Sequence, residues 1–181
     1  MISALPAVLA DDSVARLASL FDAHHDRLYR LARRLASSTD DALDLVQETF
    51  LRAAQFPKSI PVGASAEEAW LVRVLINIRR DQWRKTSTRT RFDKRFPQSE
   101  GSGQNPEVAL IARRAIWEAL DALSPRRRAI VVMHELEGLA IPAIAALLGI
   151  SAITVRWHLA RGKRDLTSAL KAQIGGTNED R

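Results

Sequence analysis

Three sets of residues in this chain have types and spacing that suit chemistry with charged polymers. Ile153, Arg156, Trp157, Ala160 and Arg164 stand at i, i+3, i+4, i+7 and i+11, so they share one side of a helix. Guanidinium forks beside an aromatic ring on an exposed helical side are suited to a major groove. Arg73, Asn77, Arg80 and Arg84 recur at i, i+4, i+7, i+11 with Trp83 beside them. Basic groups with an amide and a stacking ring suit backbone phosphates and unstacked bases. Asp44, Gln47, Glu48 and Leu51 form a polar side with one leucine. Acids gathered on one face of a basic protein read better as a docking face for a basic partner than as a solvated surface.

Other chemistries find no residues. The chain has no cysteine, which removes disulfides and thiolate metal sites and fits a reducing compartment. His24 and His25 are neighbours, and adjacent residues on a helix point in different directions. His134–Glu135 lacks the second histidine of a zinc-protease helix, because Gly138 stands there. Asp40, Asp41 and Asp44 are dense acids, but they mark a helix start, where carboxylates suit the macrodipole. No nucleophile–base pair, phosphate loop or metal set appears, so no cofactor, no metal and no enzymatic activity are expected.

The elements that must position these residues are helices. Over Leu123–Leu166, Ile141, Ile144, Ala145 and Leu148 have helical spacing. Pro142 fits a first turn, Gly149 a left-handed stop and Ser151 an N-cap. Val155, Leu159 and Leu166 give the following helix an apolar side. Small Ala145, Gly149 in the turn and Val155 as a plug between two helices together specify a helix-turn-helix.

Upstream, Ser13 to about Ala36 is amphipathic, with a bend expected near His24–His25. Ser37–Asp40 breaks and caps the chain before a helix over about 40–55, whose buried side is Leu43, Val46 and Phe50 with Ala42, Leu45 and Ala53. Phe56–Ser65 holds two prolines and a glycine and is a loop. A third helix covers about 66–85, burying Trp70, Leu71, Val74, Leu75 and Ile78. Thr86–Asn105 lacks periodicity and reads as a flexible linker. Pro106 opens a second unit, with Ala115, Ile116, Leu120 and Leu123 on a helix and another helix after Ser124–Pro125. The expected organisation is all-α: a first domain over 1–85, a linker over 86–105, a helix-turn-helix domain over 106–173 and a disordered tail over 174–181.

Bulk properties agree. In 181 residues, 46% are hydrophobic and 6% aromatic, enough for a core and more helical than sheet-like. The formal charge of +6 points to a polyanionic partner. No apolar run approaches a membrane span. The opening MISALPAVLA lacks a basic lead-in and meets Asp11–Asp12 at once, so it reads as a frayed terminus rather than a signal peptide. A cytoplasmic protein is expected.

Taken together, these residues resemble a bacterial sigma factor of the extracytoplasmic-function (ECF) group. Asp44 to Ala53 (DLVQETFLRA) is similar to the second helix of that family's promoter-melting domain. Ala69-Trp70-Leu71 through Asn77, Asp81 and Arg84 is similar to its third. Leu120 to Ala129, Glu137-Gly138-Leu139, Ile144-Ala145 and Leu148 to Ser151 resemble its C-terminal domain. The resemblance implies a factor that binds RNA polymerase core, directs it to promoters and helps open the duplex. It implies that Asp44, Gln47, Glu48 and Leu51 dock on the clamp of the largest subunit, with the flap of the second subunit a further contact. Asn77 would hold a flipped base of the −10 element, with Arg73, Arg80 and Arg84 near the strand and Phe56–Ser65 completing the pocket. Arg156, Trp157, Ala160 and Arg161 would read the −35 element, with Thr154 and Lys163 near phosphates. An anti-sigma partner is common in the family, and exposed apolar residues could serve it.

Several positions depart from the family pattern. Trp157 replaces a small polar residue, Ile153 a glycine and Ala160 a larger side chain. Gly162 replaces alanine, which by propensity alone loosens that helix by about 1 kcal/mol. Pro142 replaces an acid. Two other readings compete. A stand-alone helix-turn-helix regulator leaves the acidic face and the Asn77 stripe unexplained. A helical nuclease needs carboxylates converging on a metal.

Overall fold

Apolar residues at helical spacing, punctuated by caps and glycine stops, give helices throughout the described residues. The computed structural model describes residues 11–89 and 115–176, with side chains over 14–85 and 115–172. The expected frayed terminus over 1–10, most of the linker, Pro106–Arg114 and residues 177–181 lie outside them. Helix α1 spans Asp11–Leu35, α2 Thr39–Gln55 and α3 Ala64–Arg89. Helix α4 covers residues 115–121. Helix α5 spans Pro125–Val131 and continues as a π-turn over Val132–Leu136; α6 spans Ile141–Leu148 and α7 Ala152–Gly176. No strand occurs among the described residues.

Local chemistry sets the boundaries. Ser38 Oγ accepts from the Asp41 amide at 3.0 Å, satisfying one of the free donors at the start of α2. Gly149 ends α6 at φ 64°, ψ 39°, in the left-handed region that a side chain strains. Ser151 Oγ accepts from the Thr154 amide at 3.1 Å and opens α7. The chain turns by 107° between α6 and α7, within the range of helix-turn-helix pairs.

Several expectations shift. α1 runs unbroken past His24 and His25. α3 extends through Arg89, into the stretch expected as linker, and α7 reaches Gly176, into the expected tail. Leu43 is 48% exposed and Ile116 49%. Leu43 falls outside the buried arc of Ala42, Leu45, Val46, Thr49, Phe50 and Ala53. Gly162 has a packing cause rather than a loosening effect. A Cβ there would lie 2.8 Å from Val131 Cγ2, so glycine lets α7 cross close to α5.

One buried cluster runs through both halves of the chain, from Leu28, Leu31, Leu45 and Leu71 to Ile130, Met133, Ile144 and Val155. The N-terminal helices α1, α2 and α3 pack on one another, and α3 also packs on α5 and α6. Arg128, only 3% exposed, fastens the two halves. Its Nε donates to the Arg34 carbonyl at 2.8 Å and its Nη2 to the Ala36 carbonyl at 3.4 Å. Its Nη1 meets Asp121. Arg79 Nε donates to the Leu35 carbonyl at 3.0 Å. Two guanidinium groups thus satisfy carbonyls at the C-terminal end of α1, where orphan acceptors and the negative end of the helix dipole favour a cation. Burial pushes both arginines below their ordinary value, opposed by Asp121.

Candidate nucleic-acid interface

The open face of α7 follows from what its other side buries. Val155 and Leu159 are buried against the core, with Leu166 partly so. Helical geometry then turns Ile153, Arg156, Trp157, Ala160, Arg161 and Arg164 outward, and all six are exposed. Arg156 makes no ion pair among the described residues. Arg161 Nε lies 3.2 Å from Asp165 Oδ1, and Lys163 Nζ 2.8 Å from Glu135 Oε1. Thr154 is half-buried, its hydroxyl 2.8 Å from Ser151 Oγ. The sequence stripe therefore appears as one continuous basic face with apolar residues inside it.

The stripe on α3 has a different setting. Arg73 Nη1 donates to the Leu147 carbonyl at 3.3 Å, so this guanidinium lies against the end of α6. Asn77 and Arg80 are half-buried and Arg84 is exposed. Arg80 Nε is 3.6 Å from Asp81 Oδ1. The four still share a side of α3, but its first member is engaged by the helix-turn-helix.

The acidic set on α2 stands clear of the core. Asp44 and Gln47 are exposed, Glu48 is half-buried and Leu51 is 49% exposed. Arg52 Nε donates to Glu48 Oε1 at 3.2 Å. With Ile78, Asp81, Gln82 and Lys85 of α3 these residues line an open groove of about 430 Å³. Asp44, Glu48 and Asp81 stand there with Arg52 and Lys85 around Leu51 and Ile78, a mixed lining that offers carboxylates to a basic helix.

Sequence reasoning missed the contacts between the two halves. Glu137 accepts from Arg27 Nη1 at 2.6 Å and lies 3.6 Å from Arg34 Nη1. Arg27 Nε also donates to Glu68 at 3.1 Å. Arg128 was hidden in the run Arg126–Arg128, which looks solvated as a charge block. Its spacing of three and four from Val131 and Val132 was the available signal, since both are buried. No group of three or more potential metal ligands occurs among the described residues, and no single helix there is long and apolar enough to cross a membrane.

This arrangement defines a two-part helical protein of the sigma-70 class. Residues 20–89 match the family model for Sigma-70 region 2, and residues 113–166 match Sigma-70, region 4. The chain belongs to the ECF RNA polymerase sigma factors. It is 36% identical over 153 residues to the ECF RNA polymerase sigma factor SigE of Mycolicibacterium smegmatis, covering 81% of this chain and 58% of that one. It is 33% identical over 165 residues to SigL of Mycobacterium tuberculosis, covering 90% and 93%. The fold is similar to the sigma factor RpoE of Bartonella quintana, seen in complex with the anti-sigma factor NepR. There the TM-score is 0.59 at 25% identity, over 90% of this chain and 98% of that one. The family is one of polymerase subunits, not of enzymes in their own right.

Proposed function

We propose that this chain binds RNA polymerase core and confers promoter choice through two DNA elements. The observation that carries the reading is the coexistence, in one chain, of regions 2 and 4 with an open groove holding Asp44, Glu48 and Asp81 and an exposed basic face on α7. The first domain, nominally 1–85, docks on the polymerase clamp through Asp44, Gln47, Glu48 and Leu51. It holds the opened −10 strand through Asn77, Arg73, Arg80 and Arg84, offsetting part of the cost of unstacking a base. The helix-turn-helix domain, nominally 106–173, reads the −35 element through Arg156, Trp157, Ala160 and Arg161, with Thr154 and Lys163 on phosphates. Two weak contacts joined through one machine gain by effective concentration. Chemistry belongs to the polymerase, and the chain itself acts without a cofactor in the cytoplasm. An anti-sigma protein is a further partner, as NepR is for its relative.

Run-off transcription with core polymerase over a promoter library tests this. Defined starts that depend on the chain are expected; transcripts unchanged by its presence defeat the proposal. Asp44→Ala combined with Glu48→Ala is expected to weaken core binding about tenfold, or about 1.4 kcal/mol, with helicity intact. A stand-alone regulator would instead bind promoter duplex tightly without core and be indifferent to that double change.

A further inference from the structure

The recognition face of α7 spends exposed area on two large apolar side chains. Ile153 is 76% exposed and Trp157 55%. They are four residues apart, one turn above the other on the same side of the helix, and Ala160 continues the strip. Exposed singly, such residues need no explanation. Here they lie together within a cationic frame of Arg156, Arg161 and Arg164. That frame selects a polyanion over an apolar protein surface. Trp157 is also held from behind. The Arg127 guanidinium carbon lies 5.6 Å from its ring centroid, and Arg127 Nη1 donates to Asp165 Oδ2 at 3.0 Å. The His158 ring meets the indole edge-on at 4.9 Å. An aromatic ring braced by a cation on one side and open on the other is set for contact rather than for burial.

Among base edges in the major groove, the apolar group is the thymine C5-methyl. We infer that Ile153 and Trp157 read thymine methyl groups in the −35 element, next to the base pair contacted by Arg156. The inference rests on the promoter reading above and sharpens it. The element this chain selects therefore contains thymines at two positions within reach of one helical turn.

The test uses holoenzyme reconstituted from the full chain and core polymerase. A promoter library randomised upstream is first selected by transcription, and enrichment of thymine is expected. Each enriched thymine is then replaced by deoxyuridine, which keeps every hydrogen-bonding group and removes only the methyl. Binding is expected to fall about fourfold per methyl, the transfer value of one methylene. With Trp157→Ala or Ile153→Ala, one of the two thymine-to-deoxyuridine losses is expected to vanish, while Arg156→Ala leaves both in place. Both side chains are exposed, and unchanged far-UV circular dichroism and melting temperature verify that the variants fold. Thymine and deoxyuridine bound equally well by wild type would overturn the methyl contact while leaving the promoter reading intact. Trp157→Ala that weakens every promoter alike would place the ring on the sugar–phosphate backbone. Trp157→Ala that changes no promoter would assign the strip to a protein partner. Either result overturns the inference. A library with no upstream preference would sink the promoter reading itself.

Discussion

The stripes on α3 and α7 have nearly the same helical spacing and both carry arginines, yet they sit in different surroundings. α7 packs on α5 and α6, and its polar side is left open. α3 packs on α1, α2, α5 and α6, so its polar side is narrower, and Arg73 already donates to Leu147. Periodicity identifies which residues share a face. Whether that face is vacant depends on how many neighbours the apolar residues recruit, and α3 carries apolar residues around more of its circumference. On the proposed function, the upstream grip stands ready while part of the −10 grip is held by the helix-turn-helix.

The largest expected effect breaks the contact that fastens α5 to the end of α1. Arg128→Ala removes the donor to the Arg34 and Ala36 carbonyls and the partner of Asp121. Leaving these groups unpaired is expected to cost about 3 kcal/mol, read as a lower midpoint in urea denaturation. Arg156→Ala on the open face is expected to change stability by no more than about 0.5 kcal/mol. Similar losses for both would mean that the two halves of the chain are not fastened as described.

The next effect compares the two grips directly on DNA. Arg156→Ala is expected to cost about 1–3 kcal/mol at the guanine it reads and to relax upstream choice, with little loss on other sequences. An equal loss on all sequences would make Arg156 a phosphate contact. Asn77→Ala is expected to slow strand opening on duplex promoters, measured by permanganate reactivity, while leaving run-off transcription from pre-melted templates unaffected.

A smaller effect concerns how closely α7 approaches its support. Helix propensity alone favours Gly162→Ala by about 1 kcal/mol. The added Cβ would meet Val131 Cγ2 at 2.8 Å, and a buried, β-branched valine is stiff. Overpacking of about 1–3 kcal/mol wins, so thermal stability is expected to fall. A rise would mean that α5 yields easily.

Much of this was readable from residue order. Ser38, Gly149 and Ser151 gave the caps because capping depends on one side chain and its own backbone. Val155 and Leu159 gave the buried side of α7 because one helix with one support has one apolar arc. The acidic face of α2 was legible for the same reason. Leu43 was misplaced because it lies at the edge of an arc shared with buried Thr49, where a polar residue masks the true centre. Thr49 is buried because its hydroxyl donates to the Leu45 carbonyl at 2.7 Å, an internal partner that hydropathy does not register. The Arg128 clasp and the Arg27–Glu137 pair join residues about a hundred positions apart, and no local pattern encodes such a meeting. Gly162 looked like a defect until its neighbour Val131 was in place.

The smallest effect tests the seam between the open face of α7 and the helix that supports it. His158 lies there, partly buried, with Nδ1 enclosed and without a hydrogen-bond partner among the described residues. Burial first, and then the charges of Arg126 and Arg127, hold it below the ordinary histidine value. The unfolded chain takes up this proton near pH 6.5, about the unperturbed value, and the folded chain only at lower pH. Above that value the imidazole is neutral in both states and its contribution is whole. As pH falls toward the folded-state value, the unfolded chain binds the proton first and stability declines. His158→Gln, which cannot take up a proton, is expected to flatten this part of the profile in thermal melts between about pH 7 and 5. The core-facing Arg128→Ala is expected to lower the whole profile without changing that slope. If His158→Gln leaves the slope unchanged, the seam is wetter than its packing indicates, and the α7 face is less firmly backed than the α3 face.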